Sequence, residues 1–184
     1  VGQALAPGNA ATRAELMDTK RRPKDARTSL PPEVAQFKPA KPIELDKERF
    51  LANVRSTRRG TAPGLSGARY EHYRCLLWSK DQAEASLLYA TAAQFARGEV
   101  PPEMGRAFAL GRITAFTKAK GKIRGIVTGD AFRRLVAKTA AQQCGPEIEA
   151  HCAPFQFALS TRAGTDCVGH AVQAITDTYP GTVV

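Results

Sequence analysis

Arg112, Lys118, Lys122 and Arg124 stand in a stretch, Arg112 to Val127, that reads as two β-prone runs joined by a short loop. Gly121 can take the left-handed conformation that a three-residue hairpin loop requires. With Ala119 to Gly121 as that loop, Lys118 lies opposite Lys122 and Phe116 opposite Arg124. Opposed residues share a face, so the four cations point one way, while Ile113, Ala115, Ile123 and Val127 point the other. Like charges facing each other across a ladder are destabilising. The arrangement makes sense when a polyanion neutralises that face. The same pattern also suits a solvated hairpin whose lysines guard its edges against aggregation.

The charge that surrounds this stretch is concentrated. The chain has 184 residues, a formal charge of +10 and a pI near 9.8. Between Pro101 and Ala140 stand Arg106, Arg112, Lys118, Lys120, Lys122, Arg124, Arg133, Arg134 and Lys138, against Glu103 and Asp130 alone. That segment therefore carries +7 of the +10. A balance of this kind argues for an anionic partner, most simply nucleic acid. Cys75, Cys144, Cys152 and Cys167 form no Cys-x-x-Cys pair, and no secretory leader is expected ahead of them. Free thiols in a reduced intracellular setting, nuclear or cytoplasmic, are expected. Cys144, His151 and Cys152 match no common zinc spacing, and no apolar run is long enough to span a bilayer.

The elements that must position these residues are mostly helical. Residues 1–44 are rich in Ala, Pro and charge and read as a linker or an arm that packs on something else. At most they hold a short helix around Ala11 to Asp18. A helix is expected over about Asp46 to Thr57, with Phe50, Leu51 and Val54 on one face. A glycine-rich basic loop, Arg58 to Gly67, follows, and Ser66 caps a helix through Trp78. Tyr70, Tyr73 and Trp78 read as core. A further helix spans about Asp81 to Arg97, and Pro101 and Pro102 open a short turn before the hairpin. After it, a helix runs from about Asp130 to Gln143, carrying Phe132, Leu135 and Val136 inward, and Pro146 starts a separate short one. Pro154 to Ser160 reads as extended. In the last helix Val168, Ala171, Val172, Ile175 and Tyr179 form a core stripe that leaves His170 to one side. The expected class is α+β, mostly helical with a small antiparallel hairpin.

The order of these pieces resembles the amino-terminal, fingers half of a reverse transcriptase of the non-LTR retrotransposon type. Ala62-Pro63-Gly64-Leu65-Ser66-Gly67 is similar to the family's Gly-rich motif ahead of the fingers. Phe116-Thr117-Lys118 through Gly121-Lys122-Ile123-Arg124 is similar to its hairpin, and Gly129 to Lys138 to the helix after it. Phe155-Gln156-Phe157-Ala158 and Arg162-Ala163-Gly164-Thr165 look like the segment before the palm. The resemblance covers residues 46–184. Thr117 stands where the family has Pro, Gly125 replaces the Pro that usually follows Arg124, and Ala158 stands where Gly is frequent.

The resemblance implies an RNA-directed DNA polymerase whose domain, residues 45–184, is the fingers and palm entry, bound to template RNA, primer DNA and dNTP and completed by a palm and thumb outside this chain. Lys118 would contact the β/γ-phosphates of the dNTP, and Arg124 its phosphates and base. That division suits a point-charge ammonium and a flat, forked guanidinium. Gln156 and Phe157 would lie near the nucleotide. Lys120 and Lys122 would touch template backbone, as would Arg58, Arg59 and Arg69 around the Gly-rich loop. The lack of an initiator Met and the closing Pro180 to Val184, a turn and a strand start, lead us to expect a piece of a longer protein. Nucleotidyl transfer uses Mg²⁺ held by carboxylates. Asp130 and Asp166 read as helix caps and Asp177 as a helix-end residue, so the catalytic aspartates are expected past Val184. No residue here is assigned a catalytic role, and by itself the chain is expected to be inactive. A non-catalytic RNA- or DNA-binding module is a second reading of the same residues, and a decayed product without function is a third.

Overall fold

The structure is a computed structural model that describes residues 4–18, 20, 31–79, 82–154, 163–179 and 181. It is mostly helical with one two-stranded antiparallel sheet, an α+β arrangement. In chain order the elements are α1 (Ala10–Met17), α2 (Pro32–Ala35), α3 (Lys47–Arg55), α4 (Tyr70–Cys75), α5 (Ala83–Ala96), α6 (Pro102–Ala109), β1 (Gly111–Thr117), β2 (Ile123–Gly129), α7 (Ala131–Cys152) and α8 (Gly164–Thr178).

The core lies between α3, α5 and α7. Phe50, Val54, Leu88, Ala92, Phe132, Leu135 and Val136 are buried together. Phe132 sits at the centre of an aromatic cluster, with Phe95, Phe108 and Tyr73 centroids at 5.7, 6.0 and 5.8 Å. Burial and the nearby Asp130 carboxylate push the Tyr73 phenol up to about 12. One polar pair crosses this core. Asn53 Nδ2 donates to Thr139 Oγ1 at 3.0 Å and to Gln142 Oε1 at 2.8 Å, so a buried amide keeps its partners. Gln143 clamps the entry to α3, accepting from Asp46 N at 3.1 Å and donating to Glu44 O at 2.7 Å.

Several sequence expectations change here. Pro146 does not start a new helix: α7 runs through it to Cys152. Proline lacks an N–H and so strands the carbonyl four residues back, that of Gln142. Arg49 Nη1 donates to that carbonyl at 2.7 Å, which lets the helix continue. Pro101 and Pro102 open not a bare turn but α6, with proline at its first position, where a missing N–H costs nothing. Ser66 is not the cap of α4, which begins at Tyr70 and stops at Cys75, short of Trp78. Trp78 is 70 % exposed, not core. Asp166 lies in the first turn of α8, and the capping position belongs to Ala163, at φ 55°. The stripe on α8 is not buried either, with Val168 41 %, Ile175 48 % and Tyr179 65 % exposed. The segments Phe155 to Arg162 and Val183–Val184 lie outside the described residues.

The arm has a definite seat. Residues 4–6 run antiparallel along the outer edge of β1, with Leu5 bridged to Phe116, Ala6 N donating to Ala115 O at 3.0 Å and Thr117 N to Ala4 O at 2.9 Å. The chain then turns into α1, capped by Asn9, whose side chain accepts from Thr12 N at 2.9 Å. Leu16 reaches the sheet at Gly125, where a Cβ would stand 3.0 Å from Leu16 Cδ2. Glu15 Oε1 accepts from Ile123 N at 2.9 Å on the outer edge of β2. The arm thus closes one edge of the hairpin by pairing, crosses its apolar face, and catches the other edge with a carboxylate.

Candidate nucleic-acid interface

The hairpin forms in the register read from the sequence. Phe116 pairs with Arg124 and Thr117 with Ile123, Lys118 N donates to Lys122 O at 2.7 Å, and Ala119–Gly121 make a single 3-10 turn with Gly121 at φ +71°. Pairing continues to Gly111 and Gly129. Arg112, Thr114, Phe116, Lys118, Lys122, Arg124, Ile126 and Thr128 therefore share one face. The helix α1 covers the tip half of the opposite face, leaving Ile113 54 % and Val127 65 % exposed nearer the base. On the charged face Arg112, Lys118, Lys122 and Arg124 are all exposed, and none has a carboxylate partner among the described residues. The described ion pairs lie elsewhere, at Arg49–Asp46, Arg97–Glu99 and Arg106–Glu103. Lys120 sits on the turn, its side chain outside what the structure describes.

The Gly-rich loop is held at the other end of the hairpin. Gly64 lies so close to the start of α7 that an added Cβ would stand 2.6 Å from Asp130 Cα. Only glycine permits that approach. Ser66 Oγ donates to the Asp130 carboxylate, which also accepts from Phe132 N at 2.9 Å as the cap of α7. Arg134 Nη2 donates to Ala62 O at 2.6 Å, and its guanidinium lies 4.9 Å over the Tyr70 ring. Arg133 donates to the carbonyls of Phe108 and Ala109. Both arginines hold backbone.

Upstream in the same loop, Gly60 takes φ +71° and donates to Glu71 Oε1 at 2.7 Å. That bond, the Glu71 amide and the nearby Arg69 and Arg74 hold the Glu71 carboxyl below its usual range. Arg58, Arg59 and Arg69 are exposed, and Arg69 lies near the Glu71 carboxylate. A seven-residue strand spans about 20 Å at the usual rise, so the loop at the hairpin base and Lys118 and Lys122 at its tip do not form a single cluster.

Gln156 and Phe157 lie outside the described residues. The sequence placed Phe116 opposite Arg124 without giving it a role, and Leu5 was not singled out. Strict alternation puts Phe116 on the charged face, but nothing local announces that Leu5 joins it. The four cysteines are unpaired thiols, and His151 Nδ1 lies 2.9 Å from Glu147 O along α7. Among the described residues no three His, Cys, Asp or Glu side chains stand close enough to hold a metal ion. No helix among them is long and apolar enough to cross a membrane.

No protein-family model matches the chain, and no curated protein or solved structure matches it either.

Proposed function

We propose that this chain is the fingers part of an RNA-directed DNA polymerase of a retroelement. The observation that carries the reading is the register of the hairpin, which gathers Arg112, Lys118, Lys122 and Arg124 on one open face without a neutralising carboxylate among the described residues. Four like charges held on a two-stranded sheet repel one another. A bound row of phosphates relieves that repulsion.

In this reading Lys118 takes the terminal phosphates of a dNTP, and Arg124 donates to phosphate while its flat guanidinium lies along the base. Lys122, with Lys120 beside it, takes template backbone. Arg58, Arg59 and Arg69 take template phosphates at the loop, where small residues admit close approach of backbone. Mg²⁺ ions belong to such a polymerase, but the described residues offer no set to hold them. Asp130 is committed to Ser66 and to capping α7. No step through the metal is therefore assigned to this chain.

Binding measured on this chain tests the division of roles. Arg124→Ala is expected to weaken competition by a dNTP against a labelled single-stranded RNA while leaving RNA binding nearly intact. A double Arg58→Ala, Arg59→Ala variant is expected to do the reverse. Equal weakening of both ligands by Arg124→Ala would sink the nucleotide role. A dNTP that competes no better than pyrophosphate would leave a basic nucleic-acid-binding module. The polymerase itself is tested by reading the transcript past Val184, where a metal-binding aspartate, then a later aspartate pair, is expected.

A further inference from the structure

We infer that Phe116 and Leu5 form a stacking platform for the unpaired bases of a single-stranded nucleic acid. The inference rests on reading the hairpin face as a nucleic-acid surface, and adds to it how a base, rather than a phosphate, is held there.

The geometry is set by two pairings. Leu5 is bridged to Phe116, with hydrogen bonds on either side of the pair, from Ala6 N to Ala115 O and from Thr117 N to Ala4 O. Phe116 is in turn paired with Arg124 on β2. Directly opposed residues share a face, so Leu5, Phe116 and Arg124 form one row across three extended segments. Leu5 is 69 % exposed and Phe116 half-buried. Two residues towards the base, Ile126 adds to the apolar strip at 38 % exposure, beside Thr114. The cations bracket this strip, with Lys118 and Lys122 on the tip side and Arg112 at the base.

An apolar row with an aromatic ring at its centre and cations at both ends is a poor fit to a duplex, whose bases are turned inward, and to a bare polyanion, which offers nothing apolar. A single strand supplies both halves: its bases stack on aromatic and guanidinium planes while its phosphates meet the flanking charges. The absence of carboxylates on this face among the described residues fits the same occupant by charge. The arm has a part in this, since without residues 4–6 the row loses Leu5 and Phe116 lies at an open edge.

The test compares three probes on this chain by fluorescence anisotropy: a labelled oligo-U RNA, an abasic oligomer of the same length, and heparin as a competitor that carries charge without bases. Phe116→Leu keeps a β-compatible apolar residue and removes the ring. It is expected to weaken oligo-U about 5- to 100-fold, the range for losing one stacked base, and to leave the abasic oligomer and heparin unchanged. Lys122→Ala is expected to weaken all three alike. Should Phe116→Leu leave oligo-U binding unchanged while Lys122→Ala lowers it, the platform is refuted and the phosphate surface stands. Should the unaltered chain bind no oligonucleotide, both readings fall. A second readout guards against a folding defect: Phe116→Trp combined with Trp78→Phe places the one indole in the row. Its fluorescence is expected to be quenched by oligo-U and not by the abasic oligomer, and quenching by neither overturns the proposal.

Discussion

Arg49 and Pro146 are far apart in the chain and act as one unit. Proline at 146 withdraws the N–H that would bond Gln142 O, and the Arg49 guanidinium, reaching across from α3, donates to it instead at 2.7 Å. A hydrogen bond from a charged group contributes about 1.5–3 kcal/mol, and partial exposure of Arg49, whose side chain is 44 % accessible, puts this one near the low end. Arg49→Ala should therefore lower stability by about 1–2 kcal/mol in denaturant unfolding. The informative experiment is the double-mutant cycle. With Pro146→Ala the helix supplies its own N–H, so the cost of Arg49→Ala should shrink to a few tenths of a kcal/mol. An unchanged cost would mean that Arg49 acts through its Asp46 contact, not through the orphaned carbonyl. The sequence could not show this: a proline after Gly145 reads as a boundary, and the donor that cancels it lies on another helix. Ser66 misled for the same reason, because its partner Asp130 is 64 residues away.

The hairpin, among the elements, was the most legible, since its register follows from local facts: two β-prone runs and a glycine able to take φ +71°. Helix α3 was legible from its Asp46 cap and its apolar spacing, and the extent of α5 was read to within about two residues at its start and one at its end. What no local pattern could reveal is that the arm docks on the hairpin, and it does so at two of the three positions where this chain departs from the pattern it resembles. Thr117 supplies the N–H that ties Ala4, and Gly125 leaves the space that Leu16 fills. Proline at 117 would have no hydrogen to give. Thr117→Pro is thus expected to detach residues 4–6 while sparing the β1–β2 ladder, whose bonds use Phe116 and Lys118 rather than the outward Thr117 amide. Trypsin cleavage after Arg13, on α1, should accelerate several-fold, and the Ile123 amide should lose hydrogen-exchange protection as Glu15 leaves it. If cleavage at Arg13 stays slow, α1 is held by its own face contacts and the edge pairing is secondary. The α8 stripe shows the converse limit, since periodicity announced an apolar face but not whether this chain covers it.

Across the whole molecule, a charge of +10 indicates an anionic partner but not where it sits. Folding sorts the basic segment into working and structural parts. Arg133 and Arg134 are spent on the carbonyls of Phe108, Ala109 and Ala62, and Arg106 faces Glu103 at 3.5 Å. Arg112, Lys118, Lys122 and Arg124 remain on one face. That sorting makes a quantitative forecast, because each phosphate neutralised by a bound cation releases counterions and steepens the dependence of affinity on salt. For a single strand the slope of log K against log salt is about −0.7 per contact. The five cations assigned to template backbone, Lys120, Lys122, Arg58, Arg59 and Arg69, give a slope of roughly −3.5, shallower than the net charge of the chain would suggest if every cation took part. Lys122→Ala should reduce the magnitude by about 0.7, whereas Arg133→Ala, which removes an equal charge from a side chain already bonded to backbone, should leave the slope unchanged. A slope that responds equally to both substitutions would mean that the partner senses the diffuse field of the protein. A slope that responds only to Lys122 would confine contact to the hairpin face, since long-range attraction falls with salt for every charge but counterion release counts only those that touch phosphate.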